Sequence, residues 1–266
     1  MKRLLPAQIG GKARLPDNVC NRFSLLLTTE PQFPQEEPVD LYSPPLLPPE
    51  KSKSSQASNL LDFEEYGICK NVSRLLLEIR YLSRFFPTPT DDIAPYVLED
   101  FDIHSSVCSI LQRLLQTKLD VYPGSHGARI TECCRFAAAI FLFFLFKNHY
   151  PDPTILINSL VHRLQTALDS IITCSLDGSH RLLVWLLSVG GAAALNLPAE
   201  RDWFVSYLAE SAAELELASW DEVKRCLQMV IWIDAMDDYP FHQLWEEVLT
   251  NVTRMTTQDP FCAIWN

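Results

Sequence analysis

The sequence contains no C-x-x-C motif, although it has eight cysteines. Most of them lie singly in apolar stretches, Cys133 and Cys134 are neighbours, and Cys20 falls near the start of the chain. Structural zinc ribbons and thioredoxin-type redox sites need such short spacings, so neither is predicted. We expect reduced, mostly buried thiols in an intracellular protein. Cys133 and Cys134 are predicted to pack within a buried helix and not to act as reactive thiols.

Motifs of common catalytic and metal sites are also missing. His149, His162 and His180 are scattered and belong to no H-E-x-x-H motif or His/Cys metal spacing. Gly190-Gly191 lacks the lysine and the strand that a phosphate-binding loop requires, and Ser188 before it is interpreted as a helix residue. The residues therefore predict no catalytic, cofactor-binding or metal-ligating position and no cofactor, and we interpret the protein as not an enzyme.

Positive charge is scarce, since the formal net charge is -11 and the sequence pI is about 5.0. A negative field opposes approach to DNA phosphates and to anionic lipid, so no direct nucleic-acid binding is predicted. Lys2 and Arg3 precede an apolar stretch that Pro6 and Gly10 interrupt, so no secretory signal is predicted. The longest apolar run falls short of the roughly 18 to 20 residues that a membrane span needs, and no membrane association is expected.

That run extends from Phe136 to Phe146, within the segment Thr131–Tyr150. Every residue in it is apolar, so a helix made from it would be apolar on all sides and would need other elements around it. Charged residues flank the run on both sides, including Arg135 and Lys147. The pattern predicts a central core helix.

Prolines divide the chain into two regions, because half of the 18 prolines fall before residue 50. Proline removes a backbone donor and fixes φ, which disfavours packed helices. A Ser/Lys-rich stretch follows. We predict a disordered Pro/Ser-rich arm over residues 1–59 and a helical domain over residues 60–266.

Apolar residues recur at helical spacing after residue 60, and no period-2 alternation is present. The predicted helices around the central one are residues 71–86, a segment from Asp91 or Asp92 to before Pro123 with a possible break near Asp102, residues 156–171, residues 182–189, a helix opened by Pro198, a helix with the capping box Ser219-x-x-Glu222, and a last helix at Phe241–Val252. Gly190 and Gly191 predict close approach of a neighbouring backbone. The expected fold is all-α, an irregular multi-helix bundle.

Two side-chain groups leave alternatives open. Asp234, Asp237 and Asp238, followed by Glu246 and Glu247, form an acidic cluster that could hold a hard cation, but solvated acids at helix ends are favoured. All six tryptophans lie in the last third: Trp185, Trp203, Trp220, Trp232, Trp245 and Trp265. Core packing is the favoured interpretation, and a pocket for a small apolar ligand or a partner-facing patch is the alternative.

An ordered series of segments resembles the regulatory domain of fungal-specific transcription factors of the binuclear zinc cluster class. The segments are ECCRFAAAIFL (132–142), HRLLVWLLSVGGAAA (180–194), RDWFVSYLA (201–209) and SWDEVKRCLQMVIWIDAMDDYPFHQLWEEV (219–248). The series spans the region after residue 60. Such factors carry six closely spaced cysteines near the N-terminus, whereas the first 68 residues here contain only Cys20.

The resemblance implies a transcription-regulator-like protein, nuclear or nucleocytoplasmic, that lacks the DNA-binding zinc cluster. It is expected to act through protein partners, such as transcription machinery or related factors, and to sense a small apolar ligand. Two alternatives remain, namely a helical biosynthetic-pathway enzyme with an aromatic-lined pocket and a scaffold that sequesters full-length relatives.

Overall fold

The computed structural model describes residues 61–82, 100–117, 125–145, 153–172 and 180–258. These residues form eight α-helices, one short 3₁₀ helix at Ala194–Asn196, and no strand. The helices are α1 (Lys70–Leu82), α2 (Asp100–Gln116), α3 (His126–Leu145), α4 (Thr154–Ile172), α5 (His180–Ala193), α6 (Pro198–Glu214), α7 (Trp220–Val230) and α8 (Tyr239–Gln258). The predicted all-α fold is confirmed for this part of the chain. The predicted arm, residues 1–59, lies outside the described residues.

Helix α3 is the central helix. It contacts α1, α2, α4 and α5, and its most extensive contact is with α4. Each residue from Phe136 to Phe143 is buried, while Phe144 and Leu145 are partly exposed. The prediction of a core helix that is apolar on all sides is therefore confirmed. The helix begins at His126, earlier than the predicted Thr131, and residues 146–150 lie outside the described range.

Helices α1 and α2 cover one side of α3. Leu75, Leu76, Ile79 and Leu82 of α1 are buried, as their spacing predicts, whereas Phe85 and Phe86 lie outside the described residues. Helix α2 begins at Asp100 and passes through Asp102 without interruption. The predicted start at Asp91 or Asp92 lies outside the described residues, so a break just before Asp100 stays a prediction.

Helix α5 packs against α6 and α8. A Cβ atom at Gly190 would lie 2.4 Å from the Phe204 ring, and one at Gly191 would lie 2.8 Å from Leu244. Close approach at this glycine pair is therefore confirmed. The atoms that approach belong to the side chains of Phe204 and Leu244, and not to a neighbouring backbone as the sequence predicted.

The predicted starts of α6 and α7 agree with the structure. Pro198 is the first residue of α6. Before α7, the Ser219 hydroxyl accepts a hydrogen bond from the Glu222 N–H, and the Glu222 carboxylate accepts from the Ser219 N–H at 3.1 Å. This is the predicted capping box, which satisfies N–H groups that lack intrahelical partners. Helix α8 begins at Tyr239, two residues before the predicted Phe241.

Two arginine–glutamate pairs join helices that are distant in sequence. Arg113 of α2 donates two hydrogen bonds of 2.8 Å to the carboxylate of Glu78 in α1. Arg201 of α6 donates to the carboxylate of Glu247 in α8 at 2.9 and 3.0 Å, and also donates to the Gly191 carbonyl of α5. Each pair thus fixes one helix against another by two parallel bonds.

The described chain begins against the end of α7. The Leu61 N–H donates to the Met229 carbonyl at 3.0 Å. The Arg80 guanidinium donates to the Val230 carbonyl at 2.9 Å and lies 4.5 Å from the centre of the Phe63 ring. Burial lowers the pKa of Arg80 to about 10, against the opposing effect of Asp62. The segment before α1 is therefore held to the C-terminal end of α7.

Candidate functional site

The acidic cluster after α7 surrounds a lysine. Lys224 Nζ lies 3.6 Å from an Asp234 oxygen and 3.5 Å from an Asp238 oxygen. The Asp237 carboxylate accepts a hydrogen bond from the Tyr239 N–H at the start of α8. Across the described residues, no three His, Cys, Asp or Glu side chains are grouped so that they could hold a metal ion. The carboxylates of this cluster therefore form ion pairs with Lys224 or accept a hydrogen bond from the first turn of α8.

Two tryptophans, Trp220 and Trp232, lie beside this cluster. Trp232 lies edge-on to Phe241 with ring centroids 5.3 Å apart, and its indole N–H donates to Asp234 at 3.0 Å. Trp220 lies 6.3 Å from Trp232 in a similar edge-on arrangement. Lys224 lies 5.4 Å from the Trp232 ring, within the range of a cation–π contact. The rings contact one another and the ion pair, which makes the junction of α7 and α8 a packed polar–aromatic cluster.

Two further tryptophans are buried. Trp185 of α5 is 1% exposed, and its indole N–H donates to the Ile231 carbonyl at 2.9 Å. Trp245 of α8 is also buried. Trp265 lies outside the described residues. The prediction of core packing is thus confirmed for Trp185, Trp232 and Trp245.

The remaining residues singled out by the sequence are dispersed. Cys133 and Cys134 are buried in α3, and burial raises the pKa of both thiols well above the usual range. A raised pKa keeps a thiol protonated and unreactive. Ser188 is a buried residue of α5 whose hydroxyl has no hydrogen-bond partner among the residues that the structure describes. Its position is that of a helix residue, as predicted.

The histidines are equally separate. His162 of α4 is exposed, and its Nδ1 lies 3.9 Å from a carboxylate oxygen of Glu200 in α6. His180 is the first residue of α5. His149 lies outside the described residues. The structure does not bring the predicted candidates together into one site.

The outward face of α6 carries Trp203, which the sequence interpretation named only as one of six tryptophans, without its neighbour Tyr207. Trp203 and Tyr207 are spaced four residues apart, so they lie on the same face, and their ring centroids are 4.5 Å apart. Both side chains are partly exposed, whereas Phe204 and Leu208 beside them are buried. We call Trp203 and Tyr207 the α6 aromatic pair. The signal available in the sequence was that apolar residues occur on all sides of this helix.

Acidic residues flank the α6 aromatic pair. Asp202 and Glu210 are exposed, and neither forms an ion pair with any residue that the structure describes. The only basic residue of α6 is Arg201, whose guanidinium is buried against Glu247. The face of α6 that carries the aromatic pair therefore also carries the exposed carboxylates of Asp202 and Glu210, which have no ion-pair partner among the described residues.

Helix length and composition also bear on the membrane question. Among the described helices, including the apolar α3, none combines the length and the apolarity required to cross a lipid bilayer.

Comparison with known families gives a match over most of the chain. Residues 22–255 match the family model described as a fungal specific transcription factor domain. This range contains all four segments on which the resemblance was based, and it begins within the predicted arm. No curated protein and no solved structure matched the chain.

Proposed function

We propose, since the chain belongs to the family defined by the fungal-specific transcription factor domain, that it regulates transcription in the nucleus by binding protein partners. The observation that carries the proposal is the family match over residues 22–255. The face of α6 supports the choice of protein partners, because partly exposed aromatic side chains are enriched where proteins meet. In this proposal the helical body from residue 60 onward is the regulatory domain and residues 1–59 form an arm.

The proposal is tested by tethering the chain to a promoter. The full chain is fused to an unrelated DNA-binding domain in a fungal cell, and expression of a reporter gene with the matching operator is measured. We expect a change of several-fold relative to the DNA-binding domain alone. Fusion protein that is present at normal level and leaves the reporter unchanged would contradict a transcriptional role.

Two variants control for folding in that assay. Leu164 is fully buried in α4, so Leu164→Asp strands a charge in the core and should abolish the effect together with the fold. Thr166 lies on the exposed side of the same helix, so Thr166→Ala should retain the effect. The two variants therefore show whether the reporter effect requires the folded helical domain and does not come from the fusion alone.

We also propose that these 266 residues do not bind duplex DNA by themselves. Their formal charge of -11 opposes the phosphate backbone, which supplies most of the affinity of non-specific binding. Fluorescence anisotropy of a labelled duplex at about 0.15 M salt should show no saturable binding. Tight, sequence-selective binding by the purified chain would overturn this part of the proposal.

The enzyme alternative and the expected sensing of a small apolar ligand both depend on an aromatic-lined pocket. In the described residues the tryptophans contact neighbouring rings, backbone carbonyls or the Lys224 cluster, and no observation favours a ligand over this packing. The proposal is therefore confined to protein contacts. A scaffold that sequesters relatives would differ from it in the mass of the complex, measured by light scattering of the chain alone and after mixing with a full-length relative.

A further inference from the structure

The outward face of α6 has a chemical character that selects a cationic, partly apolar occupant. The rings of the α6 aromatic pair pack against the core and are partly exposed, and aromatic faces attract guanidinium and ammonium groups. Along α6, Asp202 precedes the pair and Glu210 follows it, and both carboxylates are exposed without ion-pair partners in the described part of the chain. A neutral or acidic segment would leave these carboxylates uncompensated and would desolvate them, whereas a basic segment would neutralise them.

This chain contains such a segment. Residues 1–14, MKRLLPAQIGGKAR, include Lys2, Arg3, Lys12 and Arg14 and no acidic residue, in a protein whose net charge is -11. Leu4 and Leu5 follow the first two cations directly. These residues lie outside both the described structure and the family match. Their charges are opposite to those of α6, and their leucines can cover aromatic surface.

The length of the connecting chain permits the contact. Residues 15–60 can span up to about 150 Å when fully extended, at roughly 3.3 Å per residue. A domain of about 200 residues has a radius of gyration near 16 Å, so no point on its surface is out of reach. The described chain begins at Leu61, which is bound to the end of α7, and α7 and α6 both pack on α5. Attachment to the same chain also raises the local concentration of the segment at the surface.

We infer that residues 1–14 dock on the outward face of α6, with their cations against Asp202, Glu210 and the α6 aromatic pair. The contact would bury part of the α6 aromatic pair. It is carried by charge complementarity and by the placement of the aromatic pair, and it does not depend on the proposed transcriptional role.

The test is zero-length carbodiimide coupling in the full chain, read by mass spectrometry of peptides. The reagent joins an amine to a carboxylate only when the two are in contact. We expect amide links from Lys2 or Lys12 to Asp202 or Glu210. Lys51 and Lys53 are the matched controls, because they lie nearer to Leu61 in sequence and would meet α6 more often by chance. Equal yields from Lys51 and Lys53, or no links to α6, would overturn the inference.

A mixture of unlabelled and ¹⁵N-labelled chains separates links within one chain from links between two. Intrachain links support the inference, and links that occur only between chains overturn it in favour of an exchange between copies. Binding of a foreign basic peptide, without any intrachain link, would equally assign the surface to another protein.

A second readout does not need a reactive amine. In the variant K2E/R3E/K12E/R14E, residues 1–14 should no longer dock. Hydroxyl-radical labelling of Trp203 should then rise about tenfold, which corresponds to a loss of about 1.4 kcal/mol in the free energy of docking. Trp245 is buried and should not change. Salt at about 0.5 M should raise Trp203 labelling in the native chain in the same direction, since the carboxylates of Asp202 and Glu210 are exposed and salt screens them. Unchanged labelling of Trp203 in both experiments would contradict docking.

Discussion

The two arginine–glutamate pairs have the same bidentate geometry and opposite burial. In the pair that joins α1 and α2, the Glu78 side chain is 2% exposed and that of Arg113 is 43% exposed. In the pair that joins α6 and α8, the Arg201 side chain is 8% exposed and that of Glu247 is 40% exposed. The carboxylate is the buried member of the first pair, and the guanidinium is the buried member of the second.

This difference decides which member can be removed at low cost. Removing the buried member leaves its partner near solvent, where water can replace the lost bonds. Removing the exposed member leaves a buried charge without compensation, which is strongly destabilising. In each pair, the side chain that looks like an ordinary surface residue should therefore be the more important one for stability.

The largest effect should come from Arg113→Met, which keeps the aliphatic stem and removes the charge. It strips Glu78 of two hydrogen bonds in the core, and we expect a loss of about 3 kcal/mol in the free energy of unfolding. Urea denaturation at pH 7 measures it.

Glu78→Gln is the matched control for that experiment. It leaves Arg113 hydrated and should cost about 1 kcal/mol. The double variant E78L/R113M replaces the pair by apolar groups and should recover most of the loss. A cost for E78Q as large as that for R113M would contradict the argument from burial.

Arg201 of the second pair contacts α5 next to its two glycines, through the Gly191 carbonyl. Gly190→Ala should therefore disturb the packing of α6, the helix that carries Arg201. The added Cβ would lie 2.4 Å from the Phe204 ring, and the ring belongs to the helix that carries Arg201. We expect a loss of about 2 to 3 kcal/mol, despite the better helix propensity of alanine. Thermal unfolding followed by circular dichroism measures it. Adding Phe204→Leu should give back part of the loss, and strict additivity of the two changes would contradict a direct clash.

Glu247→Ala tests the second pair from its exposed side. It leaves Arg201 buried with the Gly191 carbonyl as its remaining acceptor, and we expect a loss of about 2 kcal/mol by urea denaturation. The loss should be smaller than that of R113M, because that acceptor remains. Arg201→Met, which leaves Glu247 half-exposed, should cost less than E247A. The reverse order would show that packing of the arginine stem, and not its charge, holds α6 to α8.

Periodicity was sufficient to predict the elements of this fold but not the contacts between them. The apolar run in α3, Pro198 and the Ser219 capping box are local patterns, and each appears in the structure where it was predicted. Glu78 and Arg113 are 35 residues apart and Arg201 and Glu247 are 46 apart, so no local pattern pairs them. Gly67 and Gly127 likewise meet through the fold, since a Cβ at Gly127 would lie 2.7 Å from the Gly67 carbonyl oxygen.

The candidate site shows the same limit. The tryptophans were interpreted as one compositional class, although three are buried and Trp203 lies on an outward face. Its spacing to Tyr207 was visible, but the absence of ion-pair partners for Asp202 and Glu210 among the described residues depends on neighbours that only the fold supplies. Charge compensation is a property of three-dimensional surroundings, so the surface could not be recognised from the helix alone.

The smallest effects should come from the capping box, where a carboxylate binds backbone N–H groups in place of an arginine. Ser219→Ala removes the cap of α7 and should cost about 1 kcal/mol at pH 7 by urea denaturation. Glu222 accepts hydrogen bonds from the N–H groups of Ala218 and Ser219. The bond from the Ala218 N–H, followed by a side-chain hydrogen bond with Ser219, lowers the pKa of Glu222 below its ordinary value of 4.5.

Because the pKa of Glu222 is lower in the folded state than in the unfolded state, its charged carboxylate stabilises the fold at pH values above the ordinary pKa. This contribution to the free energy of unfolding is lost as pH falls through the folded-state pKa. Glu222→Gln should therefore be less stable than the native chain at pH 7, and the difference should shrink as pH falls below about 4.5. Urea titrations of both chains at a series of pH values measure this. A difference that stays constant down to pH 3 would show that the contribution of Glu222 does not depend on its charge. The capping box would then act through hydrogen-bond geometry alone, unlike either arginine pair.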